Sequence, residues 1–210
     1  MSAKQQSANA AANIKPAVIT FDVFGTLINI GDKRAPYKQL LEWMTRNGWI
    51  PTADAAAMIM SGSADFKEIG TRFGIDTPAE LIAHLHEDLD AELESIVLYD
   101  DTLSTLALLK QKGFKVALCS NLASPYGPAA LSILPVCDVH AWSYEVGAIK
   151  PDPLIYQYVI DQVGAQPGDV LFIGDTPLAD LEGPTAFGMS ARLINRKEGQ
   201  KLEDVLGDLI

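Results

Sequence analysis

Four short apolar runs, separated by segments long enough to form helices, constrain the fold of this chain more than any other feature. The runs are AVITF at residues 17–21, KVALC at 115–119, VLFI at 170–173 and SARLI at 190–194. Short runs rich in β-branched residues are typical of strands that are buried on both faces of a parallel sheet. Because helical segments lie between them, the sequence predicts an α/β fold with a doubly wound parallel sheet.

Two of the intervening segments carry clear helix boundaries. At residues 101–112 we expect Asp101 to cap a helix that Gly113 ends. At residues 152–163 a proline occupies the first helical position, and Gly164 follows the last turn. Between residues 32 and 98 the periodicity is helical and no strand is predicted. This stretch therefore interrupts the alternation as an insertion.

Three helices are predicted inside the insertion, at residues 37–47, 53–60 and 77–95. Thr77 is expected to cap the last of them, with Pro78 at its first position and a glutamate at its third. The inserted helices are therefore predicted to form a small domain of their own.

The predicted organisation is a core with an inserted cap and a tail. The Rossmann-like core comprises residues 14–31 and 99–210, and the helical cap comprises residues 32–98. Residues 1–13 are polar, rich in alanine and without a continuous apolar stretch. They are predicted to form a disordered tail and not a signal peptide.

Charge and cysteine content restrict the partners and the compartment. The chain has 210 residues, 48% of them hydrophobic, and a formal net charge of −11 at pH 7. A protein this negative, without a basic stripe, is not expected to bind nucleic acid or an anionic membrane. No apolar run reaches the roughly 18 residues that a membrane span needs. Cys119 and Cys137 lie in or beside apolar runs without metal-ligand spacing, which predicts buried free thiols and a cytoplasmic location.

Polar side chains follow the predicted strands at the edge where ligands bind in an open parallel sheet. They are Asp22 and Thr26 after the first run, Ser120 and Asn121 after the second, Lys150 in the loop before a helix, and Asp175 and Asp180 after the VLFI run. Any one of them alone is most simply a turn residue, a helix cap or a solvated side chain. Together, at consecutive strand ends, they predict a single crevice of carboxylates, hydroxyls, an amide and an ammonium group.

The segments that contain these residues resemble the motifs of a known family. FDVFGTL, CSN, IKPDPLIY and IGDTPLADLEGPTAFGM are similar, in this order, to the four motifs of the haloacid dehalogenase-like superfamily. Each motif alone is a weak signal, whereas the ordered set is highly specific. The resemblance implies a hydrolase with a Rossmann-like core, a helical cap inserted after the first motif, and covalent catalysis through an aspartyl ester.

The resemblance and the residue types imply a role for each side chain. Asp22 is expected to be the nucleophile, which divides one difficult displacement into two easier steps. Thr26 and Ser120 are expected to hydrogen-bond the oxygens of the transferring group, and Asn121 to line the same crevice. Lys150 is expected to offset the repulsion between an anionic substrate and the nucleophile.

The resemblance also implies a magnesium site. The carboxylates of Asp22 and Asp175 and the backbone carbonyl of Phe24 are the hard oxygen ligands that Mg²⁺ prefers. Asp180 is assigned to the same site as a residue that orients a ligand or Lys150. The expected partners are therefore Mg²⁺ and a small anionic substrate, and the expected assembly is a monomer or a homodimer.

One position departs from the phosphatases of the superfamily, which carry a second Asp two residues after the nucleophile. This chain has Phe24 there, and losing a general acid typically costs about 10²–10⁴-fold in rate. An aromatic residue at this place resembles the 2-haloacid dehalogenases of the superfamily instead. Those enzymes work without metal and carry Ser and Asn where this chain has Asp175 and Pro177. They also use a cap arginine, in a context that neither Arg34 nor Arg46 matches.

Three functions stay open at this point. The first is an Mg²⁺-dependent phosphatase acting on a small phosphorylated metabolite, since acidic residues that converge on Asp22 would repel one another without a cation. The second is a 2-haloacid dehalogenase, and the third is a non-catalytic binding protein that kept the fold. Arg34 and Trp43 are the cap residues expected to lie near the substrate.

Overall fold

The computed structural model describes residues 16–210, so the predicted tail at residues 1–13 lies outside the described residues. The strands are β1 Val18–Phe21, β2 Ile28–Ile30, β3 Ile96–Leu98, β4 Lys115–Ser120, β5 Val139–Trp142, β6 Val170–Gly174 and β7 Ser190–Leu193. The helices are α1 Pro36–Arg46, α2 Ala55–Met60, α3 Phe66–Arg72, α4 Ala79–Glu94, α5 Thr102–Gln111, α6 Tyr126–Ile133, α7 Ser143–Val146, α8 Pro153–Val163, α9 Gly183–Phe187 and α10 Leu202–Leu206. A π-helical turn, Pro177–Glu182, leads into α9.

A five-stranded sheet in the order β5-β4-β1-β6-β7 forms the centre of the molecule. Every neighbouring pair in it is parallel. Strand β1 lies in the middle, where Val18 pairs with Lys115 on one side and Val170 on the other. The predicted α/β class with a parallel sheet is confirmed.

Alternate residues of the central strands pack on opposite faces of the sheet, because successive side chains of a strand point to opposite sides. Ile19 and Phe21 join a cluster that includes side chains of α5, α6 and α10. Val18 joins the other cluster, to which α8 contributes five buried residues. With helices on both faces, the strands read as continuous apolar runs in the sequence.

The prediction that residues 32–98 contain no strand is wrong. Strand β3 lies at the end of this stretch and pairs antiparallel with β2, so that Ile28 is opposite Leu98 and Ile30 is opposite Ile96. Each of these strands has three residues and an exposed middle residue, which is too short a pattern to distinguish from a loop. The ribbon joins the two ends of the inserted helical segment. Strand β5 was also not predicted, because His140 interrupts its apolar residues.

The segment between β2 and β3 contains four helices, α1 to α4, with an apolar cluster of their own. Leu40, Met44, Phe66 and Leu85 are buried in this cluster. Helix α3 was missed, although Asp65 and Glu68 form the reciprocal hydrogen bonds of a capping box at its start. The division into core and cap domains stays a prediction.

Two helix caps were predicted, Thr77 and Asp101, and the structure contains a further one at Asp152. Asp152 accepts a hydrogen bond from the Leu154 N–H, as a helix cap does. The Thr77 prediction is wrong: Pro78 is the capping residue, and the Thr77 hydroxyl is buried against Gly70. Asp101 precedes α5 without a capping hydrogen bond from its side chain, because its carboxylate binds groups in the C-terminal part of the chain.

Both cysteines, Cys119 and Cys137, are buried free thiols, as expected. Within residues 16–210, the helices are all too short or too polar to traverse a lipid bilayer.

Candidate active site

The carboxyl ends of β1, β4 and β6 meet at one edge of the sheet, where the first residues beyond the strands form a polar crevice. Asp22 directly follows β1, Ser120 ends β4, and Asp175 directly follows β6. Lys150 lies in the loop before α8, and Asp180 lies in the π-helical turn that leads into α9. Parallel pairing brings these chain segments to the same level, although they are far apart in the sequence.

Asp22 is held in one orientation by two donors. Its Oδ1 accepts a hydrogen bond from the Ser120 hydroxyl at 3.0 Å and from the Lys150 ammonium at 2.8 Å. Within residues 16–210 no hydrogen bond reaches its Oδ2. The side chain is 10% exposed, so one carboxylate oxygen is fixed and the other is available to a ligand.

Lys150 is a buried ammonium between two carboxylates. Its Nζ lies 2.8 Å from Asp22 and 2.6 Å from Asp180, and 5.2 Å from the centre of the Phe172 ring. Burial alone lowers the pKa of Lys150, but the negative charges of Asp22 and Asp180 outweigh burial and raise that pKa. The group therefore stays charged and supplies a fixed positive charge beside Asp22.

Asn121 and Asp180 position this lysine. The Asn121 side chain accepts a hydrogen bond from the Lys150 N–H at 2.7 Å and donates one to the Lys150 carbonyl at 2.8 Å. Asp180 is buried, binds the ammonium with Oδ1, and accepts a hydrogen bond from the Thr176 N–H with Oδ2. Asn121 thus uses both ends of its amide on the backbone of Lys150.

Three carboxylates lie close enough to share a cation. One oxygen from each of Asp22, Asp175 and Asp180 lies within 4.8 Å of the other two. Desolvation and the charge of Asp22 raise the pKa of Asp175. Burial and the charge of Asp22 likewise outweigh Lys150 and raise the pKa of Asp180 to about 6. One ammonium facing three carboxylates leaves an excess of negative charge, and this oxygen donor set is the kind that Mg²⁺ prefers.

Two glycines of the motifs are required by the packing of these carboxylates. Gly25 has a φ of 83°, and a β-carbon there would collide with the Asp175 carboxylate. A β-carbon at Gly174 would collide with the side chain of Asp180. Both glycines therefore allow backbone and carboxylate to approach closely at the crevice.

Thr26 is buried, and its hydroxyl has no hydrogen-bond partner within residues 16–210. Its carbonyl accepts two hydrogen bonds from Arg196, at 3.0 and 2.7 Å, and Arg196 also pairs with Asp101 at 2.9 Å. Arg196 follows β7, and applying the strand-end rule to this last strand would have found it. The role predicted for the Thr26 hydroxyl stays a prediction.

An open cavity of ≈ 320 Å³ adjoins the crevice on the side of the inserted helices. Phe24, two residues after Asp22, forms part of its wall, and its ring meets Tyr126 edge to face at 5.7 Å. Neither Arg34 nor Trp43 lines the cavity, contrary to expectation. The Arg34 guanidinium is instead bound by Asp32 and Asp88. Sequence reasoning missed Tyr37 and Tyr126, because it does not predict how the inserted helices pack on the core.

Comparison with known proteins identifies the family. A model of haloacid dehalogenase-like hydrolases matches residues 16–188. The chain is 28% identical over 196 residues to (S)-2-haloacid dehalogenase 4A of Burkholderia cepacia, covering 84% of this chain and 82% of the relative. It is also 28% identical over 195 residues to the phosphoglycolate phosphatase of Pasteurella multocida, covering 80% of this chain and 81% of that relative.

The fold is shared with solved structures. A HAD family enzyme of Bacteroides thetaiotaomicron, in complex with magnesium and inorganic phosphate, superposes with a TM-score of 0.62 at 20% identity. The match covers 91% of this chain and 98% of that one. With its parallel sheet, its crevice of acidic side chains and a family match over residues 16–188, this chain belongs to the haloacid dehalogenase-like hydrolases.

Proposed function

We propose that this protein is a magnesium-dependent phosphohydrolase that acts through a phosphorylated Asp22. The observation that carries the proposal is the cluster of Asp22, Asp175 and Asp180 around a single buried lysine. Without a cation these carboxylates repel one another in a crevice partly shielded from water. A crevice that only transfers an alkyl group from a halide has no need for this concentration of negative charge.

In the first step an oxygen of Asp22 forms a bond to phosphorus while the bond from phosphorus to the leaving oxygen breaks. The leaving group departs with the bonding electron pair and takes a proton from solvent. Ser120 and Lys150 hold Oδ1 of Asp22, which fixes the carboxylate for attack. The ammonium of Lys150 also offsets the repulsion between the carboxylate and the anionic phosphoryl group.

In the second step water attacks the phosphorus of the aspartyl phosphate. The bond from phosphorus to the Asp22 oxygen breaks, inorganic phosphate leaves, and the carboxylate is regenerated. Asn121 and Asp180 act on both steps by positioning Lys150, because they bind its backbone and its ammonium. We assign the Thr26 hydroxyl to the oxygens of the transferring group, because it is buried beside the crevice without a partner within residues 16–210.

Magnesium fits the donor set, with Asp22, Asp175 and the Phe24 carbonyl as its proposed ligands and Asp180 beside them. When bound, the ion supplies positive charge that neutralises the phosphoryl oxygens and the acidic cluster. We propose that α1 to α4 form the cap over this crevice, and that the substrate is a small phosphorylated metabolite.

Phe24 determines which phosphates can react. No carboxylic acid stands at this position to protonate a leaving oxygen, so leaving groups that are stable as anions are favoured. Aryl and acyl phosphates meet this condition, whereas simple alkyl phosphates do not.

The second candidate is a 2-haloacid dehalogenase, which Phe24 favours because a halide leaves without a proton. The same carboxylate attack at carbon gives an ester of Asp22, and water then releases the hydroxy acid. Two observations weigh against it: the acidic cluster, and the pairing of Arg34 with Asp32 and Asp88, outside the cavity.

One panel of assays tests both functions. Purified protein is given phenyl phosphate, acetyl phosphate and 2-chloropropionate, each with Mg²⁺ and with EDTA, and phosphate and chloride release are measured. We expect phosphate release that requires Mg²⁺. Chloride release at the same rate in EDTA, without phosphate release, would replace the phosphohydrolase by the dehalogenase. No release from any of them would support a non-catalytic binding protein.

A further inference from the structure

We propose that the cavity beside Phe24 binds an uncharged aromatic body of the substrate, so that this enzyme acts on aryl phosphates or aroyl phosphates and not on small polar phosphates. The inference rests on the proposed phosphohydrolase function and names its substrate class.

The walls of the cavity are almost entirely apolar. Its lining includes the apolar and aromatic side chains of Phe24, Tyr37, Leu41, Ile59, Met60 and Tyr126. Its volume is ≈ 320 Å³, whereas a closed apolar cavity of about 150 Å³ holds one benzene molecule. One aromatic ring with substituents, or two fused rings, therefore fits this space.

Three of these walls are aromatic and are inclined to one another. The Phe24 ring meets Tyr126 at 89°, and Tyr37 meets Tyr126 at 48° with 6.3 Å between ring centres. Edge-to-face and offset arrangements are the ones that aromatic rings prefer. An aromatic guest can therefore make further contacts of the same type with at least two of the walls.

The amide of Asn121 and the hydroxyl of Tyr126, both in the cavity wall, are already engaged. Asn121 uses both ends of its amide on the backbone of Lys150. The Tyr126 hydroxyl donates to Glu92 at 2.5 Å. Lys38 is the one cationic residue among those that line the cavity, and its Nζ lies 3.5 Å from Glu42 on an exposed side chain. A carboxylate on the substrate body would thus lose hydration against apolar walls, and the single cationic side chain of the lining, Lys38, is exposed to solvent beside Glu42 and offers only a screened interaction.

Glu92 fixes the aromatic wall in position. This carboxylate is 1% exposed on α4, and its two oxygens accept hydrogen bonds from Tyr126 and from the N–H groups of Arg34 and Ala35. It thus joins α4, the chain entering α1, and α6 of the core. The Tyr126 ring is held before a ligand arrives, which lowers the entropy cost of binding.

The cavity borders the proposed reaction centre through Phe24 and Asn121, which belong to its lining. Phe24 lies two residues after Asp22, and Asn121 follows Ser120 directly. The proposal places the leaving oxygen of a phosphoryl group at Asp22 on the side of Phe24 and the apolar walls. Aryloxides and arenecarboxylates such as benzoate are also the leaving groups that depart without an acid at position 24.

Matched substrates test the proposal. Benzoyl phosphate and acetyl phosphate both release a carboxylate as the leaving group, and phenyl phosphate and 4-carboxyphenyl phosphate differ by one remote charge. We expect kcat/KM to be at least about tenfold higher for benzoyl than for acetyl phosphate, and at least about tenfold lower when the carboxylate is added. Most of each effect should lie in KM, because the contacts exist before and during reaction. Equal values, or a preference for the carboxylated ester, would overturn the proposal.

A filling variant tests the location. Ala56 is exposed on α2 and lines the cavity, so Ala56→Trp should raise KM for benzoyl phosphate at least about fivefold more than it raises KM for acetyl phosphate. Met58→Trp is the control, because Met58 lies on the same helix, is 40% exposed and does not line the cavity. If the two variants behave alike on benzoyl phosphate, the aromatic group does not bind here.

Binding to Asp22→Asn separates this proposal from the proposed function. Calorimetry with phenyl phosphate and with phosphoglycolate measures affinity without turnover. Tighter binding of phenyl phosphate that Ala56→Trp abolishes would support the cavity assignment, even if the wild type releases no phosphate from any ester. Equal binding of the two ligands would overturn the cavity assignment, even if phosphate release proceeds.

Discussion

The crevice at the strand ends and the cavity beneath the inserted helices share a boundary at Phe24, but their side chains differ in polarity. In the crevice, Asp22, Lys150 and Asp180 are buried charges joined by contacts of 2.6 and 2.8 Å. In the cavity, the walls are apolar and aromatic. In the proposed reaction the charges act on the group that reacts, whereas the apolar walls contact the part that does not react. The charged groups all lie on the core, whereas the apolar walls come from both the core and the inserted helices.

The largest expected effect lies in the crevice, at the proposed nucleophile. Asp22→Asn should lower phosphate release by at least about 10³-fold, because a neutral amide is a poor nucleophile. Binding of aryl ligands in the cavity should persist, since the side chain keeps its shape. Turnover and circular dichroism are measured on one sample. A folded variant with more than about a tenth of wild-type activity would falsify the assignment of Asp22.

The next effect concerns the acidic cluster. Asp175→Asn should lower activity by about 10²-fold and shift the Mg²⁺ concentration for half-maximal rate upwards, because it removes one negative ligand. Titration of activity with Mg²⁺ checks both effects. Asp169→Asn is the control, because Asp169 immediately precedes β6 and therefore lies at the opposite end of that strand from Asp175. An unchanged Mg²⁺ dependence in Asp175→Asn would remove this residue from the metal site.

Phe24 lies at the boundary of the two regions. Changing it to Asp should raise the rate of alkyl phosphate hydrolysis and lower the preference for aromatic substrates. Phe24→Asp places a carboxyl group where a general acid can reach the leaving oxygen, and should raise hydrolysis of an alkyl phosphate by about tenfold or more. It also removes an aromatic wall and should weaken the preference for benzoyl over acetyl phosphate. Phe24→Asn removes the same wall without adding an acid. If both variants hydrolyse the alkyl phosphate equally, position 24 is not the place from which a general acid reaches the leaving oxygen.

The smallest expected effect concerns the Asp101–Arg196 pair, and it is an effect on the free energy of unfolding. Burial tends to raise the pKa of Asp101, but hydrogen bonds from Arg196 and Leu202 outweigh burial and lower it. A lowered pKa in the folded state stabilises the protein above the unfolded value of about 3.9, and this contribution disappears as pH falls through the folded value. Asp101→Asn should therefore cost about 1–2 kcal/mol at pH 7 and much less in acid.

Urea unfolding of wild type and Asp101→Asn at pH 7 and pH 3 measures this difference. A gap in stability that is the same at both pH values would show that the Asp101 charge does not contribute. Substrate preference should be unchanged, because the Asp101–Arg196 pair contacts Thr26 and not the cavity.

The parts of the fold that were predicted correctly depend on local pattern. The runs that became β1, β4, β6 and β7 are apolar because both sheet faces are covered, and this leaves a signal in a single sequence. Strands β2 and β3 leave none, because three residues cannot establish a period. Thr77 has the sequence of a helix cap, but its side chain is buried by packing against Gly70, which overrode the local preference.

The fold class, and the residues that follow the strands, can be read from the sequence alone, because strand ends in a parallel sheet are positions along the chain. Tertiary packing sets the pairing of Asn121 with the backbone of Lys150, and the pairing of Arg34 with Asp32 and Asp88, outside the cavity. It also decided that Glu92 holds Tyr126 against Phe24, across 34 residues of chain. These contacts join elements whose relative placement follows from the packing of whole faces. No local pattern encodes which polar partner a side chain meets once those faces are buried.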